Sequence, residues 1–237
     1  MRRRRFLSQC ALLGGAATLP QLAGLPAAWA QAAPRLYART RLADVHGRPI
    51  RAADLAPETN YVFHYPFAAT PCLLLKLARP VAVPATAKRN EVAAPAWQGG
   101  VGRDRNVVAF SAICAHKLMY PTPAISFIGL RKGGRGESAQ VIHCCGDHSR
   151  YDPLRGARVI GGPAPQPLAA VLLEWDAASD RLHAVGTRGG EMFDAFFEKY
   201  AMKLELETGS SLRKLSGPTV IVQPAARYSR QWRSCSV

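Results

Sequence analysis

The chain has 237 residues, 48% of them apolar, and a formal charge of +15. This describes a globular protein with enough chain to bury a core, in one domain with appendages. No uninterrupted run of eighteen apolar residues forces a spanning helix, and the basic residues, spread out in pairs such as "KR" and "RK", form no nucleic-acid-binding tract.

The first thirty residues stand apart. They combine a cationic start, an apolar middle weakened by Gly, Gln and Pro, and "AWA" before Gln31, the three parts of an export signal. Arg3, Arg4, Phe6 and Leu7 match the twin-arginine pattern, so periplasmic export with cleavage after Ala30 is expected, or a membrane anchor if the segment is retained. That route resembles the one taken by proteins exported already folded, often around a cofactor. Removing residues 1–30 leaves a charge of +11, suited to steering toward an acidic protein partner or an anionic membrane surface. Cys72, Cys114, Cys144, Cys145 and Cys235 remain. An odd number, two adjacent and two close to histidines, reads as metal ligands with leftovers.

Residues 31–60 are polar and turn-rich, with "DVHGRP" as a loop. Short β-like runs follow at 61–65, 72–78, 106–114, 139–144, 157–162, 169–176 and 181–187, separated by turn signals such as "GGVGRD", "DPLRG" and "DAASD". This pattern predicts a mainly β, antiparallel domain. Residues 79–99 read as a Pro/Ala-rich surface excursion, and "GLRKGGRGESAQ" (129–140) as an inserted loop. Met192, Phe193, Phe196, Phe197 and Tyr200 recur at helical spacing, predicting a packing helix over 190–206. The tail after Gly209 offers one strand, "TVIVQ". The expected organisation is a signal at 1–30, one β domain at 31–189, and a C-terminal helix and tail at 190–237.

Two loops carry chemistry. Cys114-x-His116 follows a β run, and Pro121 and Pro123 keep the next stretch from continuing as a strand. Cys145-Gly-Asp-His148 again places thiolate and imidazole where a strand gives way to a turn. Two cysteines and two histidines in two loops suit either tetrahedral zinc or a 2Fe–2S cluster with two histidines on one iron.

The pattern C-x-H…C-x-x-H resembles the Rieske iron–sulfur proteins, most of all the small subunit of arsenite oxidase. "YPFAATPCLLLKL", "QGGVGRDRNVVAFSAICAH", "YDPLRGARVIGGPAPQPL" and "VLLEWDAASDRLHAVG" are similar to that subunit in order, over roughly residues 55–187. The resemblance implies a Rieske-type β domain with a cluster-binding subdomain. It places Cys114 and Cys145 on one iron of a single 2Fe–2S cluster and His116 and His148 on the other. Ser149 and Tyr151 would donate hydrogen bonds to the sulfurs, and Gly162, Pro163 and Pro165 would belong to a proline loop covering the cluster.

The sequence departs from that pattern. Met119 and Asp147 stand where many Rieske proteins of respiratory complexes have bridged cysteines, and Ser149 and Tyr151 lie one residue too close to the second histidine. A second alignment therefore stays open, with Cys144 as ligand and Asp147 in the histidine position. Imidazole is the natural ligand, so Cys145 and His148 are preferred and His143 becomes a surface residue. His46, His64 and His183 read as structural, Cys72 as a buried thiol, and Cys235 as a partner for Cys72 or another chain.

The resemblance implies electron transfer between a catalytic oxidoreductase subunit and a redox carrier such as a cytochrome. A bc-type respiratory subunit is the runner-up. A ring oxygenase would need a second iron site that the remaining histidines do not form. A zinc-stabilised module leaves the proline loop and the Ser/Tyr pair without a purpose.

Overall fold

The computed structural model describes residues 33–82, 97, 99–132, 140–190, 192–209, 211–233 and 235. The export signal and most of the 79–99 excursion lie outside them. The described strands are β1 (Arg35–Ala43), β2 (Tyr61–His64), β3 (Pro71–Lys76), β4 (Val107–Ser111), β5 (Ile125–Ser126), β6 (Ile128–Lys132) and β7 (Gln140–Cys144), then β8 (Arg150–Asp152), β9 (Arg158–Gly161), β10 (Ala170–Asp176) and β11 (Arg181–Arg188). Helix α1 (Met192–Thr208) follows, then β12 (Thr219–Ile221), β13 (Gln223–Pro224), helix α2 (Ala225–Tyr228) and β14 (Gln231–Trp232). The architecture is mainly β with one long C-terminal helix, as the turn spacing and the aromatic stripe led us to expect.

An eight-stranded sheet runs β12-β1-β11-β10-β4-β3-β2-β13, and a four-stranded antiparallel sheet runs β6-β7-β8-β9. The large sheet curls until β12 and β2, near its two ends, meet. Its central strands β3 and β4 are apolar on both faces because both faces are covered. Leu42, Phe63, Cys72, Leu74, Ala109 and Leu182 fill the concave side. Leu73, Leu75, Val108 and Phe110 face the other core, shared with Ile128, Ile142 and Tyr151 of the small sheet and with Phe193 and Phe196 of α1. Burying one such Leu or Phe contributes roughly 1.5–3 kcal/mol. Asn60, just before β2, docks the small sheet: its amide accepts from Leu130 N at 2.6 Å and donates to Leu130 O at 3.1 Å.

Two strands lie where the sequence reads as loop. β1 occupies part of the 31–60 stretch, its arginines turned to solvent and Thr40 and Leu42 inward. β6 occupies the start of the supposed insertion, with Ile128 and Leu130 buried. β1 has one wet face, and in β6 glycine and arginine alternate with Ile128 and Leu130, so each carries too few apolar residues to stand out.

The C-terminal segment closes back on the domain. Phe67 meets Phe193 and Phe197 edge-on, with centroids 6.4 and 5.2 Å apart. β14 pairs in parallel with β5, and Trp232 packs on Gly129, where a side chain would collide with its ring.

Candidate metal centre

Both loops grow from strand ends in the same way. In the first, Cys114 N donates to Met119 O at 2.8 Å, Leu118 N donates to Cys114 O at 2.9 Å, and Leu118 takes φ 58°. In the second, Cys144 N donates to Ser149 O at 2.9 Å, His148 N donates to Cys144 O at 2.8 Å, and His148 takes φ 61°. The loops are congruent, with Cys144 matching Cys114 and His148 matching the left-handed corner residue Leu118. Such a corner is uncommon for a residue with a Cβ, and here the two backbone bonds fix it.

This congruence decides which side chains converge. Cys114, Cys144 and Asp147 place their ligand atoms within 4.8 Å of one another. His116 turns Nδ1 to Asp147 Oδ2 at 3.2 Å, and Cys114 Sγ lies 3.0 Å from the same oxygen. Cys114 and Cys144 are fully buried thiols, the Asp147 side chain is 1% exposed, and that of His116 is 36% exposed. The donor set is therefore two sulfurs and a carboxylate inside, with one imidazole at the surface.

Cys145 and His148 are not in this group. Strand alternation turns Cys145 away from Cys144, and it forms a disulfide with Cys235, ninety residues on. His148 sits beside His143, with ring centroids 5.8 Å apart. His143 is 2% exposed, which corrects the expectation of a surface residue. Cys235 pairs with neither Cys72, which is buried and free, nor another chain. The residues that sequence reasoning passed over, Cys144 and Asp147, were visible in it as the alignment that keeps Ser149 and Tyr151 in step.

Electrostatics follow from the crowding. A hydrogen bond from Cys144 lowers the Cys114 thiol against the opposing effect of burial, and the same bond, with burial, raises Cys144. Burial pushes Asp147 up, but hydrogen bonds from Cys114 and Ser149 N outweigh it and hold the carboxyl below its usual range. Burial first, then the nearby Cys114, raises the Tyr151 phenol. The Tyr151 hydroxyl lies 3.3 Å from Cys114 Sγ and accepts from Ala115 N at 3.1 Å. Among the described residues Ser149 Oγ is buried with no hydrogen bond of strict geometry, yet it sits near enough to Asp147 and Tyr151 to act downward on the pKa of each.

Neighbouring segments hold the loops together. Met119 lies over Gly146, where a Cβ would come within 2.6 Å of Met119 Sδ. This contact joins the two loops. Gly162, at φ +82°, passes so close to the second loop that a Cβ would lie 2.6 Å from Ser149 Cα. Pro163 and Pro165 follow it on the same short segment. Helix α1 braces the first loop: Tyr120 packs edge-on against Phe196 and Tyr200, its hydroxyl donates to Glu207, and Lys199 Nζ donates to Lys117 O at 2.7 Å.

The donors fit a metal group. Two soft thiolates beside two harder ligands suit a sulfide-bridged pair of irons, and also one tetrahedral ion.

No family model matches the chain. Among solved structures it is similar to the soluble domain of the Rieske protein II (soxF) from Sulfolobus acidocaldarius, at 26% identity over 64% of this chain and 78% of that one, with a TM-score of 0.45.

Proposed function

We propose that the chain is a Rieske-like electron-transfer protein holding one 2Fe–2S cluster, with Cys114 and Cys144 on one iron and His116 and Asp147 on the other. The observation that carries this reading is the convergence of two buried thiols, Cys114 and Cys144, with the Asp147 carboxylate and the His116 imidazole. The buried Ser149 hydroxyl would supply a further donor to bridging sulfide. A bound cluster of this type takes up and gives back one electron.

The residues of the chain supply the rest. Tyr151 donates toward Cys114 Sγ, which favours the extra electron by withdrawing charge from sulfur. Asp147 opposes it, adding one negative charge that a second imidazole would not. Met119 packs on the second loop at Gly146 and the glycine-led segment packs on it at Ser149, while His116, at the surface, gives the electron a short way out. Lys117 beside it is exposed, as is Lys199, which reaches its carbonyl, and these two cations suit an acidic redox partner. The partners proposed are a periplasmic oxidoreductase of arsenite-oxidase type and a cytochrome-type carrier, reached by twin-arginine export. Among the described residues no helix is long and apolar enough to cross a membrane.

Chemical analysis of purified protein tests this reading. About two irons and two labile sulfides per chain are expected, with a reduced-state EPR signal of mixed thiolate and imidazole ligation. One zinc without sulfide would instead make the chain a zinc-stabilised module.

A further inference from the structure

Four further ligand-type side chains meet beside the second loop, and none belongs to the proposed cluster site. Cys145 and Cys235 are joined as a disulfide. Cys235 Sγ lies 3.3 Å from His143 Nδ1, and the ligand atoms of His143, His148 and Cys235 lie within 4.8 Å of one another. His143 is 2% exposed, yet among the described residues its ring nitrogens find no hydrogen-bond partner except that sulfur. A disulfide sulfur is a weak acceptor, so a buried imidazole aimed at it lacks a proper partner.

We propose that the Cys145–Cys235 disulfide is the closed state of a redox-gated metal site, which on reduction takes one zinc-class divalent ion on Cys145, Cys235, His143 and His148. Zinc–sulfur and zinc–nitrogen bonds of about 2.0–2.3 Å put tetrahedral donors roughly 3.3–3.8 Å apart. The His143–Cys235 separation already meets that spacing. The two sulfurs need only move apart by about the difference between a disulfide bond and a tetrahedral edge. Cys235 stands three residues beyond β14 and outside the described strands. Arg131 Nη2, 4.0 Å from Cys145 Sγ, favours the thiolate. Two thiolates then neutralise the divalent charge, so occupation adds no net charge beside the arginines.

The step balances. A dithiol reductant gives two electrons and two protons to the Cys145–Cys235 bond and becomes a disulfide itself; the two new thiols then lose their protons to solvent as the metal binds. The bond and the metal exclude each other because each uses the same sulfur electrons.

Cobalt(II), a spectroscopic stand-in for zinc, tests this. Full-length protein is prepared oxidised, and reduced with a dithiol that is removed without air before cobalt is added. Reduced protein is expected to bind one equivalent more than oxidised protein and to show thiolate-to-cobalt charge-transfer absorption. Cys235→Ser and His143→Ala should each lower the affinity of that extra equivalent at least ten-fold. Equal binding in the two redox states overturns the proposal, as does an extra equivalent untouched by Cys235→Ser. If His143→Ala fails to fold, Cys235→Ser still decides. The comparison is between redox states of one chain, so it stands whether the first site holds a cluster, zinc or cobalt.

Discussion

Replacing Asp147 by histidine asks most directly what sets the redox level of the proposed centre. Asp147 Oδ2 lies 3.0 Å from Cys114 Sγ and 3.2 Å from His116 Nδ1, with the side chain 1% exposed. As an iron ligand in the proposed centre it is an ionised carboxylate. A unit charge about 4 Å from an added electron, at an effective dielectric near 20, opposes it by roughly 4 kcal/mol. For a one-electron couple, at about 59 mV per 1.4 kcal/mol, this is on the order of 170 mV. Asp147→His removes the charge and keeps a ligand, so protein-film voltammetry should show the potential rising by on the order of 100–200 mV. Asp147→Asn removes charge and ligand strength together, and should raise the potential while shortening the life of the cluster. An unchanged or lower potential in the histidine variant would refute the reasoning, because a carboxylate facing the irons cannot be electrostatically silent.

The remaining predictions use other parts of the site and the fold. Cys144→Ser should abolish the iron–sulfur absorbance while Cys145→Ser retains it; the reverse result would return Cys145 and His148 to the ligand set. Gly162→Ala places a Cβ 2.6 Å from Ser149 Cα at φ +82°, so a loss of roughly 1–3 kcal/mol and faster bleaching in air are expected, read by denaturant titration and absorbance decay. Burial lowers the pKa of His64 to about 4 from an ordinary value of 6.5. Below pH 6.5 the unfolded chain binds this proton first, so the stability it contributes is present above pH 6.5 and drains away as pH falls toward 4. The loss is at most about 3 kcal/mol, reduced because water reaches part of the ring. His64→Gln should flatten that part of the stability profile measured by urea unfolding between pH 7.5 and 4.5, and an unaltered slope would show that His64 does not titrate there.

The sequence by itself determined the class of the fold and the two loops. Turn residues at short, regular intervals force antiparallel strands, and the 3.6-residue recurrence of Met192, Phe193, Phe196, Phe197 and Tyr200 forces a helix with one apolar face, because both patterns are local. The pairing of cysteine with histidine past two strand ends was equally local. Which cysteine serves was not. Cys144 and Cys145 are chemically identical neighbours, and only the direction in which each leaves the chain separates them. That direction comes from the register of β7, where Cys144 pairs with Ile128, and from the bonds that Cys144 exchanges with His148 and Ser149. The preference for imidazole over carboxylate was sound ligand chemistry, but the left-handed corner at His148 turns that ring toward His143 and leaves Asp147 beside the sulfurs. The partner of Cys145 lay ninety residues away, beyond any spacing argument. The 190–237 segment likewise reads as an appendage in one dimension, yet α1 braces the first loop and β14 carries the tail to the second. Contacts of this kind join residues far apart in the chain, so tertiary packing alone could decide them.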